Sequence, residues 1–232
     1  MEPILTVQQM RELDEFVINR DDSAQSLMGK AGEALAEELL PFKSIAIVCG
    51  SGNNGGDGYA AAHALQEKEQ LDNKGITIFF TKEPKSPESI FFFEELHSQC
   101  IKLEKFSNEE NVKNVFAKSD CIIDCLLGTG FSGVPRCDIK DAIEVINETK
   151  QAHPEITVIS MDINSGVNGD TGEGVIGVNS DITLSIGYKK RGMITSEFSK
   201  WSKRVVNKNI GYELSKDNFK PFDSPDDILW VE

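Results

Sequence analysis

The sequence predicts an α/β protein of Rossmann-like type, a three-layer αβα sandwich around a mostly parallel sheet, with helices placed before the first core strand. Three observations lead there. Short β-branched runs, SIAIVC at Ser44–Cys49, ITIFFT at 76–81, CIIDCLL at 121–127, ITVISM at 156–161 and ITLSI at Ile182–Ile186, read as strands buried on both faces. Segments of helical spacing separate most of them, and that alternation marks βαβ crossovers. The first of these strands runs into GSGNNGGDG at 50–58 and then into an alanine-rich stretch ending at Leu65, so that a strand, a glycine turn and a helix N-terminus follow one another.

Taken in order, the chain supports each element. Thr6 and Gln9 form a capping box for a helix whose apolar face is Leu5, Met10, Leu13, Val17 and Ile18. A second helix is expected from about Ser23, with Leu27, Ala31, Leu35 and Leu39 on one side and Gly29 and Gly32 thinning it for close packing. The helix after the glycine loop is expected to open at Gly55 or soon after. Pro84 and Pro87 punctuate the exit from strand 76–81, and 89–100 reads as a helix because Ile90, Phe93, Leu96 and Cys100 recur at helical spacing. A short strand at 101–106 precedes a second capping box, Ser107 with Glu110, and a helix with Val112, Val115 and Phe116 inward. A helix at 138–150 and a late strand at 204–210 complete a single domain with a core at about 5–210. The tail from Ser215 is polar and loosely patterned.

Composition narrows the function. At 232 residues and 39% hydrophobic, the chain can bury one sizeable α/β core. A net charge of −14 argues against nucleic acid, since a phosphate-tracking surface needs a basic stripe and the only basic triplet is Lys189, Lys190 and Arg191. Five cysteines without a C-x-x-C, two of them (Cys49 and Cys121) inside buried strands, fit a reduced cytoplasmic protein rather than a disulfide framework or zinc site. The histidines His63, His97 and His153 are too scattered for a metal motif. No apolar run is long enough to cross a membrane, and the N-terminus has no basic-then-apolar signal pattern.

In a doubly wound sheet the ligand sits outside the carboxyl ends of the strands, and four such ends carry chemistry. Gly50, Gly52 and Gly55 fit G-x-G-x-x-G, whose glycines let backbone N–H groups approach an anion. Asn53, Asn54 and Asp57 are foreign to a plain phosphate loop, because a carboxylate there repels the ligand, so this loop binds more than a phosphate. Asp124 precedes a second small-residue loop, Gly128 to Gly133, able to form an anion-binding nest. Asp162-Ile163-Asn164-Ser165-Gly166 and Gly187-Tyr188-Lys189-Lys190-Arg191-Gly192 are the third and fourth. Each has a plainer structural reading. The glycine loops can be mere tight turns, Asp162 a turn cap, the basic triplet a solvated surface, His63 a helix-face residue, and Cys49, Cys121 and Cys125 small core residues. Asp124, inside an apolar strand, is hydrogen-bonded, cation-bound or exposed at the strand end.

With those loops in view, the chain resembles the NAD(P)H-hydrate epimerase family. The matching stretches are GNNGGDG at 52–58, D-x-x-x-GTGFSG at 124–133 and D-x-x-SG-x-x-x-D-TG at 162–172, with LT-x-x-x-M-R-x-x-D at 5–14 and LM-x-x-AG at 27–32. The resemblance covers about 5–210. It implies epimerisation of the R and S hydrates of NADH and NADPH (NADHX and NADPHX). It places Asn53, Asn54, Gly55, Gly56 and Asp57 in the dinucleotide-hydrate site and gives Gly128, Thr129, Gly130, Phe131, Ser132, Gly133 and Val134 its phosphates or ribose. Asp162 would contact the hydrated nicotinamide and act as acid–base catalyst, and Lys190, in the position of the family's lysine, would be the second catalytic residue, orienting the ligand or serving as the partner of Asp162. A potassium ion would lie on Asn54, Asp124 and Ser165, a hard cation on oxygen ligands. Asn164 stands where the family has proline, and Asn168 where an acid is common. A separate dehydratase consuming the S epimer is implied as functional partner, and a homodimer through the N-terminal helices as the assembly. Two other readings remain open: a dehydrogenase, for which Glu83 is the only near candidate to hold the adenosine ribose, and a non-catalytic binding or interaction module on the same scaffold.

Overall fold

A computed structural model describes residues 1–20, 22–68, 74–96, 101–108, 110–215 and 217–231. The chain opens with β1 (Glu2–Leu5), α1 (Val7–Arg20) and α2 (Ala24–Leu39) and continues β2 (Ser44–Cys49), α3 (Asn53–Glu67), β3 (Gly75–Phe80), α4 (Pro87–Glu94), β4 (Ile101–Lys105) and α5 (Glu110–Ala117). β5 (Cys121–Cys125), α6 (Cys137–Ala152), β6 (Thr157–Met161), β7 (Ile182–Ile186), β8 (Lys189–Lys190), β9 (Val205–Lys208) and β10 (Leu229–Val231) complete it. Seven strands form one parallel sheet in the order β4-β3-β2-β5-β6-β7-β9. The order reverses at β2. The crevice between the carboxyl ends of β2 and β5 is therefore the topological switch point, where a doubly wound sheet takes its ligand.

Alternation along β2 shows why the sheet is covered twice. Ile45, Ile47 and Cys49 join an apolar core with Leu27, Leu35 and Leu39 of α2 and Tyr59 and Leu65 of α3. Ala46 and Val48 point the other way, into a second core with Phe116 of α5 and Ile143 and Ile146 of α6. With about 1.5–3 kcal/mol gained per fully buried large apolar side chain, neither face can be left uncovered. Close packing of α2 on α3 rests on Gly32, where a Cβ would lie 2.5 Å from the Ala60 backbone. Gly29 has ordinary clearance, 3.5 Å to Phe92, so only one of the two expected thinning glycines is needed.

Several expectations change in detail. Leu5 lies in β1, outside the helix it was expected to face, although the Thr6–Gln9 box forms in both directions at 2.8 and 3.0 Å. α3 opens at Asn53, two residues before Gly55, because extended Gly52 takes the N-cap and its carbonyl accepts the Gly56 N–H at 3.1 Å. α4 ends at Glu94, and its buried residues are Ser89 and Phe92, whereas Ile90 is exposed. The small Ser89 lets α4 approach Gly56 of α3, where a Cβ would lie 2.3 Å from the Ser89 hydroxyl. His97 and Cys100 lie outside the described residues.

The polar tail is also structured. Ser224 and Asp227 form a capping box around a 3₁₀ turn at Pro225–Asp227, and β10 pairs antiparallel with β1, which pairs in parallel with β8. This small sheet ties the chain end to Lys190 through the Leu5–Lys190 register. Buried Phe222 and Ile228 anchor it, and a three-residue strand is too short to show a period. Among the described residues no helix is long and apolar enough to cross a membrane.

Candidate active site

At the switch point lies a cavity of about 580 Å³, a typical size for a small-molecule site. Asn53, Asn54 and Asp57 reach it from the start of α3, Gly128, Thr129, Gly130 and Phe131 from the loop after β5, and Asp162 from the end of β6. Other expected residues stand back from it. Gly55 packs against the Gly50 carbonyl, 2.0 Å from where its Cβ would be, and Gly56 packs against Met28 and Ser89. Ser132, Gly133 and Val134 follow the lining part of their loop, and Val134 is 43% exposed. Glycine serves here less to bare N–H groups than to let the helix start close onto the strand ends.

Asp162 has a left-handed backbone, φ +62°, uncommon for a residue with a Cβ and characteristic of functional sites. Its carboxylate binds the Lys190 ammonium, and its other oxygen faces the Thr129 N–H at 3.5 Å. Lys190 is 1% exposed, with its remaining donors on the Ile186 carbonyl at 3.0 Å and the Ser185 hydroxyl at 3.4 Å. The basic triplet is thus no solvated surface. Lys190 does not line the cavity; its donors are spent on Asp162, Ile186 and Ser185.

Asp57 answers the puzzle of a carboxylate in an anion loop. Burial first, then the charges of Asp162 and Asp14, push it well above the usual carboxylate range, against the pull of Lys190. In its neutral form it does not repel a phosphate.

Asp124 is fully buried and accepts four hydrogen bonds, from the Leu126 N–H (3.2 Å), the Ser160 hydroxyl (2.9 Å), the Ser165 N–H (2.9 Å) and the Ser165 hydroxyl. All four donors are neutral. Burial raises its pKa while these bonds lower it. Ser165 also accepts from the Leu127 N–H at 2.8 Å, so β5, β6 and the second glycine loop are knotted together beneath the cavity. Asn54 is different: both atoms of its buried carboxamide lack a partner, the mark of a side chain awaiting a ligand. No cluster of three or more His, Cys, Asp or Glu side chains able to hold a metal occurs among the described residues. An all-oxygen set made of an orphaned amide, a buried carboxylate and a serine nevertheless fits a hard monovalent cation in donor type.

The N-terminal helix supplies a wall that the loops alone did not reveal. Met10, Arg11 and Asp14 of α1 line the cavity, as does Tyr212 from the chain after β9. α1 is held in place by Asp170, which accepts the Val7 N–H at 2.7 Å, and by Arg11, which donates to the Thr129 carbonyl at 3.1 Å. The M-R-x-x-D stretch carried that signal, but nothing in Tyr212's surroundings did. Asn164, in the proline position, is buried, donates to Val178, Ser180 and Trp201 at 2.9–3.0 Å and accepts from Thr183, which fixes the loop by hydrogen bonds in place of a ring.

A switch-point cleft lined by two small-residue loops and several carboxylates, one of them paired with a buried lysine, defines a Rossmann-like α/β protein with a small-molecule site. Comparison with known proteins makes this specific. The family described as YjeF-related protein N-terminus matches residues 24–192. The NAD(P)H-hydrate epimerase of Elusimicrobium minutum is 33% identical over 90% of this chain and 97% of its own. The bifunctional NAD(P)H-hydrate repair enzyme Nnr of Hyperthermus butylicus is 32% identical over 72% of this chain but only 31% of its own. The crystal structure of yeast ynu0, at 21% identity, shares the fold with a TM-score of 0.75 over 98% of this chain and 99% of that one. The chain belongs to the YjeF-related N-terminal family, together with the NAD(P)H-hydrate epimerases.

Proposed function

We propose that this protein is an isomerase that interconverts the R and S hydrates of NADH and NADPH. The observation that carries the reading is Asp162 lining the switch-point cleft, with the Lys190 ammonium bound to its carboxylate from behind, in a chain of that family. The hydrate bears its hydroxyl on the carbon beside the ring nitrogen. Inversion breaks that C–O bond with a proton delivered to the departing oxygen, the nitrogen lone pair forming an iminium; water then bonds to the opposite face and gives up a proton. Asp162, held by Lys190, would move one of these protons and stabilise the cationic ring; its place in the cavity lining supports that reading. Ring opening to an aldehyde needs the same groups.

Asn54, Asp124 and Ser165 would hold a potassium ion, which when bound supplies a fixed positive charge beneath the cleft. Arg11, the cationic side chain lining the cavity, is set to meet the pyrophosphate beside the Gly128–Phe131 segment. Arg11→Ala is expected to raise KM for NADHX about tenfold with kcat little changed, the value of one charge-assisted hydrogen bond. Steady-state kinetics check it.

Within the Nnr relative, a stretch like this chain makes up about a third of a bifunctional repair enzyme, which supports a second activity, read here as a dehydratase for the S epimer, acting beside this one. Free thiols at Cys49, Cys121, Cys125 and Cys137 fit a reducing cytoplasm. The test is a coupled assay: mixed NADHX epimers with excess S-specific dehydratase, with and without this protein. Faster loss of the R fraction supports the isomerase; decay at the spontaneous rate with NADHX still bound supports a binding module.

A further inference from the structure

We propose that Asp14, held by the Tyr212 hydroxyl, is a second catalytic residue of this cleft, giving a proton to the hydroxyl that leaves the hydrate while Asp162 takes one from the water that replaces it. The proposal rests on the epimerase reading above. Inversion puts the leaving and arriving oxygens on opposite faces of one ring, so a single carboxyl group on one face cannot serve both without the ring turning over in the site. Asp14 and Asp162 line the same cavity from different elements, α1 and the end of β6.

Asp14 is built to carry that proton. The Tyr212 hydroxyl donates to its Oδ1. Tyr212 is itself buried and fixed: its N–H reaches Asn209 Oδ1 at 2.8 Å, and its carbonyl accepts from Asn209 at 2.8 Å and from the Tyr188 hydroxyl at 3.1 Å. Burial pushes the Asp14 carboxyl up to about 6, with the charges of Asp162 and Glu15 adding to the rise and the Tyr212 bond and Lys190 opposing it. Asp57 faces the same space. A carboxyl group titrating near neutrality is present in both forms at working pH, as a general acid requires.

The step balances. The C–O electron pair leaves on oxygen, which takes the Asp14 proton and departs as water; the nitrogen lone pair closes the iminium. Incoming water bonds to the opposite face and loses its proton to Asp162. In the S-to-R direction the two carboxyl groups exchange roles, and solvent resets their protons between turnovers.

Asp14→Asn and Tyr212→Phe are compared with the wild-type chain in the coupled assay across pH, with the spontaneous rate subtracted. Asp14→Asn is expected to lower kcat by ~100-fold or more while KM stays within about threefold. It also folds: a carboxyl group whose folded pKa lies above its unfolded value opposes folding at pH 7, gaining stability only as pH falls through about 6, so the neutral amide leaves the melting temperature unchanged or higher. In the wild type the R-to-S rate falls as pH rises through the Asp14 pKa. Tyr212→Phe removes the bond that favours the carboxylate, and that limb moves to higher pH. Near-normal turnover by Asp14→Asn overturns the proposal, and so does a Tyr212→Phe profile that stays in place. No acceleration by the wild-type chain overturns the epimerase reading itself, before any variant is made.

Discussion

Asp162→Asn is expected to reduce the kcat for NADHX epimerisation by at least ~100-fold, the usual worth of a positioned proton-transfer group. The substitution leaves the backbone alone, since asparagine tolerates the left-handed φ of +62° about as well as aspartate does. It does not leave stability alone. Lys190 is 1% exposed and its ammonium loses its anionic partner, and breaking a buried pair from one side costs about 3 kcal/mol. Loss of activity and loss of stability therefore arrive together and have to be separated. Adding Lys190→Met removes the stranded charge, so the double variant is expected to recover much of the stability in urea unfolding while staying inactive. Near-normal turnover by Asp162→Asn in its folded state would remove Asp162 from the mechanism.

How far the sequence foretold this site differs by element. Strands buried on both faces were legible because continuous β-branched runs have few other uses; Ile182–Ile186 is observed with the bounds its residues suggest. The switch point followed from the glycine turn after the first core strand. Asp162 and Asp124 stood out as carboxylates at or inside strand ends, where an apolar pattern breaks. Lys190 did not stand out as buried, because within a basic triplet on an acidic chain the sequence cannot say which lysine turns inward. That depends on β1, which pairs with it, and on β10, which pairs with the far side of β1; they are only four and three residues long. Tyr212 was hidden for a related reason: it contacts Asp14 across 198 residues, and no local period encodes such a pairing. What escaped is long-range contact made by short or irregular segments. What was visible is chemistry placed at the ends of regular ones.

Asp124→Ala is expected to cost about 3–5 kcal/mol, because four donors lose their shared acceptor in a fully buried place. The hydroxyls of Ser160 and Ser165 can rotate to other acceptors, and the Leu127 carbonyl already lies 3.2 Å from Ser165. The N–H groups of Leu126 and Ser165 are backbone and cannot, so at least two donors stay orphaned at about 1–3 kcal/mol each, a large part of the roughly 5–15 kcal/mol that holds a domain folded. Urea unfolding measures the loss. Asn54→Ala is expected to behave in the opposite way, since its buried carboxamide has no partner to lose and removing it relieves an unsatisfied group. Potassium separates the two roles. A cation held by Asn54, Asp124 and Ser165 stabilises the wild-type fold by about 1.4 kcal/mol at ten times its dissociation constant, against choline chloride at equal ionic strength. Asn54→Ala is then expected to match or exceed the wild type in choline and to gain nothing from potassium. A wild-type melting temperature identical in the two salts would leave Asp124 as a structural knot alone, and the orphaned Asn54 amide would have to be waiting for the substrate instead.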